Sequence, residues 1–243
     1  MHRPPWLGLL LVLLLVPVFV ALGQWQWQKG ERKAAAQNLR DTRGADAAVE
    51  LPTALLDPSS ELAAQLHYRP VRLRGQFVPE QQFLLDNRVH RERAGFHVIT
   101  PFRLANSSVV VLVNRGWVPV GASHTELPAI ATPAGFLDLT GIAVLPPSRF
   151  FSLSATGNTP DWKSAALPVW QWLDQKAFAT LSGLPTQGLI VQLDATAAAG
   201  FVREWPRPDE RIERHYSYAL QWFGFAIAAI AIGLYFVFRR ARP

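Results

Sequence analysis

From Tyr218 to Phe238 the chain carries no charged side chain, and Gln221 is the only strongly polar one. A helix rises 1.5 Å per residue, so about 20 residues cross the roughly 30 Å hydrocarbon core of a bilayer. This run is predicted to span a membrane, and the rest of the chain must fold around that anchor. Arg239, Arg240 and Arg242 close it on one side. On the other side, alternating charges from Asp209, a fair N-cap for the helix, to Arg214 lead into His215. Trp6 to Leu22 is a second apolar run, broken only by Pro17 and flanked by Arg3 and Lys29. A cleaved signal peptide could begin in the same way, with Ala21-Leu22-Gly23 as its small-residue end. Two features favour a retained span instead. The run is about 17 residues against the usual 7–15 of a signal core, and Trp25 and Trp27 suit an interfacial aromatic belt. The expected layout is a tail at 1–5, a first span at 6–25 and an extracytoplasmic domain at 26–208. An interfacial segment with the second span follows at 209–238, and a basic tail at 239–243.

Charge placement sets orientation and excludes one class of partner. Of the net charge of +6, four positive charges come from Arg3, Arg239, Arg240 and Arg242, leaving 20 basic against 18 acidic residues in the body. A near-neutral body has no electrostatic footprint for nucleic acid. The basic tails read as positive-inside signals, which put both termini in the cytoplasm and the middle of the chain on the far side. Trp25 and His215 then belong at similar depth near one interface. The absence of cysteine removes disulfides, thiolate catalysis, Cys-ligated zinc and iron–sulfur clusters.

After the first span, Gln24 to Arg43 lacks proline and is expected to continue as helix, with 44–60 a loop containing a short helical turn. Arg69 to Val78 alternates Val71, Leu73 and Gly75 with Arg72, Arg74 and Gln76, the period-2 pattern of a half-buried strand. Phe83 to Val89 and Phe96 to Leu104 are similar, with Arg93-Ala94-Gly95 as the turn between them. Val109 to Val113 is wholly apolar and reads as a central strand buried on both faces. Gly135 to Val144 and Leu189 to Leu193 add two more strands. Trp170 to Leu181 is expected to be a helix stopped by Gly183 and Pro185, while 118–134 and 145–168 read as proline-rich loops. Five or six strands with few intervening helices imply an α+β fold, mainly antiparallel and barrel-like, between two transmembrane helices. Asn87-Arg88 and Asn114-Arg115 sit at comparable strand ends, where the asparagines would cap turns and the arginines would pair with nearby carboxylates.

The sequence contains no dinucleotide fingerprint, phosphate-binding loop, His-Glu-x-x-His or Gly-x-Ser-x-Gly. Of the six histidines, His67, His90 and His97 lie in or beside strands, as hydrogen-bonded structural residues would. His215 has a different setting. On a helix, Tyr218 and Ala219 lie one turn from it and Trp222 two turns, on the same side. A neutral imidazole there could ligate the iron of a large apolar macrocycle; equally, His215 and its aromatic neighbours could form an ordinary interfacial belt.

A set of short motifs occurs in order along the chain. They are Leu22-Gly23-x-Trp25-Gln26-x-Gln28 with Lys33, Tyr68-Arg69-Pro70-Val71, Gly75-x-Phe77, Thr100-Pro101-Phe102, Leu112-Val113-Asn114-Arg115-Gly116 and His215-x-x-Tyr218-Ala219-x-x-Trp222. Together they resemble the Surfeit locus protein 1 family of cytochrome c oxidase assembly factors, over nearly the whole chain. The resemblance implies a two-span protein of the bacterial inner membrane with a large periplasmic domain and no enzymatic activity. It further implies a role in maturing subunit I of a haem-copper oxidase, alongside other assembly factors and the haem a synthesis machinery. It also implies haem a as a transient cofactor, with His215 as iron ligand; from their places on the two helices, Tyr218 and Trp222 would then wall the ring, and Trp25 with Gln26 would complete the pocket from the first helix. Three positions depart from the family pattern: Lys29 replaces a usual Arg, Glu213-Arg214 replace Asn-rich residues, and Trp170-Gln171-Trp172 has lost a histidine. The last weakens any case for a second ligand from that region. A haem-free scaffold that clamps subunit I is the alternative, and a membrane-tethered periplasmic hydrolase a more distant one.

Overall fold

The computed structural model describes residues 5–121, 126–146, 167–197, 201–205 and 211–240; Asp209, the expected N-cap, lies outside them. The elements in chain order are α1 (Pro5–Gly44), β1 (Val49–Glu50), α2 (Glu61–Leu66), β2 (Pro70–Phe77), β3 (Phe83–His90), β4 (Arg93–Leu104), β5 (Val110–Pro119), β6 (Leu137–Val144), β7 (Val169–Trp170), α3 (Gln175–Ser182), β8 (Thr186–Leu193) and α4 (Ile212–Arg240). They form two compact units, one of the terminal helical segments and one of Arg40–Trp205.

In the helical unit, α1 and α4 are both long and apolar enough to cross a membrane. α1 continues well past its apolar run, and Pro17 stays inside it, as membrane helices tolerate. The two helices run antiparallel, with Val12 beside Gly233, Gly23 beside Phe223 and Gly30 beside Tyr216. The seam is built on small residues seven apart: Gly23 and Gly30 on α1, and Ala219, Ala226 and Gly233 on α4. Ala219 is fully buried and Ala226 nearly so. A seven-residue repeat keeps one stripe facing the partner, and small side chains let the backbones approach closely enough for dispersion to hold two helices together in lipid. A Cβ on Gly23 would stand 2.5 Å from the Phe223 ring, so the aromatic there depends on that glycine.

The second unit is a closed, mixed sheet. β2 pairs antiparallel with β6 over Pro70–Gly75, and its last residues, Gly75 to Phe77, pair with Leu104 to Phe102 of β4. From β6 the ladder runs through β8 and β5 back to β4, which closes the ring. Gly75 is the corner, paired to both neighbours, with the Arg103 carbonyl too close to leave room for a Cβ. β3 and the two-residue β7 extend the sheet beyond β4, and β1 flanks β2. The interior holds Val71, Leu73 and Phe77 of β2 with Val111 and Val113 of β5 and Val191 of β8. Val110 and Leu112 of β5 bury on the opposite side with Phe83, Trp170 and Phe178, so β5 is covered on both faces as its unbroken apolar run predicts.

The fold is α+β and barrel-like, but four local expectations change. The turn between β3 and β4 is Arg91-Glu92, both at positive φ (45° and 64°), and Arg93-Ala94-Gly95 belongs to the strand. A two-residue type I′ hairpin turn requires such φ at both positions, and neither residue advertises it. β5 does not end at Asn114 but runs to Pro119, because Arg115 forms a bulge in β5, unpaired between Asn114 opposite Ile99 and Gly116 opposite Val98 of β4. Trp170 opens no helix: it belongs to β7 opposite Leu85, and its ring stacks on Phe83 at 4.6 Å. α3 starts only at Gln175, where the Asp174 side chain accepts from Ala177 N, and ends at Gly183 in the left-handed region. Lastly, β1–β2, β3–β7 and β5–β8 are parallel pairs within the mainly antiparallel sheet.

Candidate functional site

The antiparallel packing of α1 and α4 brings His215 against Gln26. The imidazole Nδ1 and Gln26 Oε1 are 2.9 Å apart. With the amide oxygen as acceptor, Nδ1 carries the proton, and the lone pair of the neutral ring stands on Nε2. His215 is half-buried, and fully buried Ala219 follows one turn along the same stripe. Trp222, two turns on, stacks on Phe19 of α1 with ring centroids 5.8 Å apart and planes 27° apart, and meets Phe225 edge-on. On the other side of His215, Tyr216 packs edge-on against Trp27 at 5.0 Å and donates its hydroxyl to Glu31 at 2.9 Å.

Of the five residues expected to form the site, His215, Gln26 and Trp222 therefore lie on the seam between the helices. Tyr218 and Trp25 do not; each is about half exposed, 50% and 49%, on the outer surface of the pair. Lys29 Nζ stands 5.0 Å from the Trp25 ring centre, a cation–π contact that orients the indole. Sequence reasoning missed Phe19, Tyr216 and the glycines that admit them. The spacing of Gly23, Gly30, Ala219, Ala226 and Gly233 was the available signal.

These residues fit an iron-bearing macrocycle in one respect. A metal-ligating histidine commonly donates its other ring N–H to a partner that fixes the tautomer, and Gln26 occupies that role. The single imidazole would offer one nitrogen to such an iron. Among the described residues no group of three His, Cys, Asp or Glu side chains is arranged to hold a bare metal ion.

The second motif region, Asn114-Arg115-Gly116, is built into the β-rich unit. Arg115 is fully buried, and its hydrogen bonds among the described residues go to neutral oxygens rather than to the expected carboxylate. Its Nη1 donates to Thr132 Oγ1 at 2.8 Å and Gln82 Oε1 at 3.1 Å, and its Nη2 to the Ala131 carbonyl at 2.6 Å. The guanidinium lies between the Phe77 and Phe201 rings, 5.1 and 4.8 Å from their centres. Burial and nearby Arg203 push it down to about 10, leaving it charged at neutral pH. It thus pins the 131–132 segment and Phe201 to the barrel by oxygen dipoles and ring faces. His67 and His97 are hydrogen-bonded within the fold: His67 Nδ1 accepts from Leu145 N at 3.0 Å, and His97 Nδ1 stands 3.2 Å from Asn114 Nδ2.

The comparisons with known proteins agree with this architecture. Residues 13–227 match the model of the SURF1 family. A SURF1-like protein of Monosiga brevicollis is 32% identical, over 96% of this chain and 88% of its own length. Surfeit locus protein 1 of Mus musculus is 28% identical, over 89% of this chain and 71% of its own. An uncharacterised SURF1-like protein of Mycobacterium bovis is 29% identical, over 99% and 86%. With both terminal helices suited to a bilayer and the matched region reaching from the first into the second, the chain is a membrane-anchored member of the SURF1 family of cytochrome oxidase assembly factors.

Proposed function

We propose that the protein binds haem a at the seam of its two membrane helices and aids its insertion into subunit I of a haem-copper oxidase. In this reading it is not an enzyme. It lies in the bacterial inner membrane with both termini cytoplasmic and the β-rich domain periplasmic, working with other assembly factors and the haem a synthesis machinery. The observation that carries the reading is the hydrogen bond between His215 Nδ1 and Gln26 Oε1. A buried or half-buried imidazole needs only one nitrogen satisfied to be oriented, and this bond spends Nδ1 while leaving Nε2 as a donor of electrons.

His215 would hold the iron through Nε2, and Gln26 would hold the ring. Exposed Trp25 and Tyr218 flank this level of the helix pair and would offer aromatic surface, while Trp222 and Phe19 keep the seam below closed. Haem a would supply its iron and a farnesyl tail, and a site on membrane helices would keep such a tail out of water. The test is purification from cells that make haem a. Wild type should show a Soret band with a haem a pyridine spectrum, and His215→Ala should lose it while still inserting in the membrane. Equal haem content in the two would instead favour a haem-free clamp on subunit I.

A further inference from the structure

The seam between α1 and α4 has two unlike sides at the level of His215. On one, Trp27, Tyr216 and Glu31 close together. The two rings meet edge-on at 5.0 Å, and the Tyr216 hydroxyl donates to the Glu31 carboxylate at 2.9 Å. Successive helix residues turn by about 100°, so Trp25 and Lys29, one turn apart, lie across α1 from Trp27 and Glu31. The same count puts Tyr218 across α4 from Tyr216. Because Tyr216 and Trp27 meet, their opposites, Tyr218 on α4 and Trp25 with Lys29 on α1, border the other side of the seam.

The charges divide in the same way. The filled side carries the carboxylate of Glu31, and the other carries the ammonium of Lys29. Lys29 Nζ stands 5.0 Å from the Trp25 ring centre and enters no ion pair with a described carboxylate. Lys33 follows one turn further out on the same side, and both ammonium groups act electrostatically on the His215 ring. Lys29 is three residues beyond Gln26, about 4.5 Å along the axis, in the direction away from the apolar run Trp6 to Leu22. A cation thus stands beside the imidazole on its aqueous flank, on the side that Trp27, Tyr216 and Glu31 leave open.

Resting on the haem reading above, we propose that Lys29 binds a propionate carboxylate of haem a and so fixes which edge of the macrocycle faces outward. The ends of that ligand differ in chemistry: the propionates are anionic and the farnesyl chain is apolar. A carboxylate met by an ammonium gains a charge-assisted hydrogen bond, and this leaves the apolar tail towards the hydrocarbon. On the Glu31 side the same carboxylate would meet a like charge.

Full-length wild type, Lys29→Gln, Lys29→Arg and His215→Ala in a neutral detergent are titrated with haem a and with its dimethyl ester, followed by Soret absorbance. Wild type should bind haem a with an affinity that falls as ionic strength rises. Lys29→Gln should bind haem a roughly three- to tenfold more weakly, with most of that salt dependence gone. It should match wild type for the ester, which offers no anion and also reports that the variant is folded. Lys29→Arg, whose guanidinium also suits a carboxylate, should stay within about twofold of wild type for haem a. A Lys29 that only orients Trp25 would weaken both ligands alike, and one that only meets lipid phosphates would affect neither. Either pattern would overturn the assignment, while loss of binding in His215→Ala would still support the haem site. No saturable binding of haem a by wild type would overturn both.

Discussion

Gln26 and His215 stand 189 positions apart in the chain, and a single hydrogen bond makes them one group. The histidine is conspicuous in the sequence because it lies at the edge of an uncharged run. Its partner becomes definite only with the register of the two helices, since Gln24 and Gln28, each two residues from Gln26, are equally good acceptors. The same limit applies to Arg115. Its sequence setting suggests a carboxylate, but its oxygen partners come from segments before and after it that no local pattern links to it. His97 carries a prediction at this scale. Folded, it is held down to about 4 by burial and by Arg88, against 6.5 when free. Between those values the unfolded chain binds the proton and the folded one resists it, so stability is fully present above about pH 6.5 and falls as pH drops towards 4. The loss attributable to His97 is on the order of 3 kcal/mol at most, and His67, also lowered by burial, adds a loss of the same sign. In urea unfolding from pH 7 to 4.5, His97→Gln should flatten part of the decline; a slope identical to wild type would refute the assignment.

At the scale of elements, the strands with clean alternation were the legible ones. Arg72, Arg74 and Gln76 point outward from β2, while Val71, Leu73 and Phe77 fill the barrel, as the period-2 pattern requires. What escaped was backbone irregularity: the Arg91-Glu92 turn without glycine, and the continuation of β5 through Asn114-Arg115-Gly116, where a triplet that reads as a turn is itself a bulge in the strand. The helix seam was legible in principle, through its small residues seven apart. It yields a sharp test, because the natural chain has no cysteine to confuse the readout. A Cβ on Gly233 would lie 3.7 Å from that of Val12, close to the mean for disulfides. Val12→Cys/Gly233→Cys should therefore form an intramolecular disulfide on mild oxidation of membranes, seen as a mobility shift reversed by reductant. Reaction only between chains would disprove the antiparallel register, and adding Gly23→Leu should reduce the yield by crowding Phe223.

For the whole molecule, composition and end charge spoke more clearly than any motif. Two apolar helices and basic tails were readable from charge placement alone, whereas closure of the barrel through β2 and β4 depends on long-range pairing. The proposed orientation can be checked with single cysteines in intact cells. Ser108→Cys, on the β-rich unit, should react with a membrane-impermeant maleimide, and Arg239→Cys only after lysis; the opposite pattern would reverse the topology. The most direct measurement of the central claim is a haem a titration of three purified chains: wild type, Gln26→Leu and His215→Ala. Loss of an orienting partner typically weakens metal binding 10–100-fold, so Gln26→Leu should bind about that much more weakly than wild type, and His215→Ala should show no saturable binding. Three indistinguishable curves would contradict a haem site at this seam.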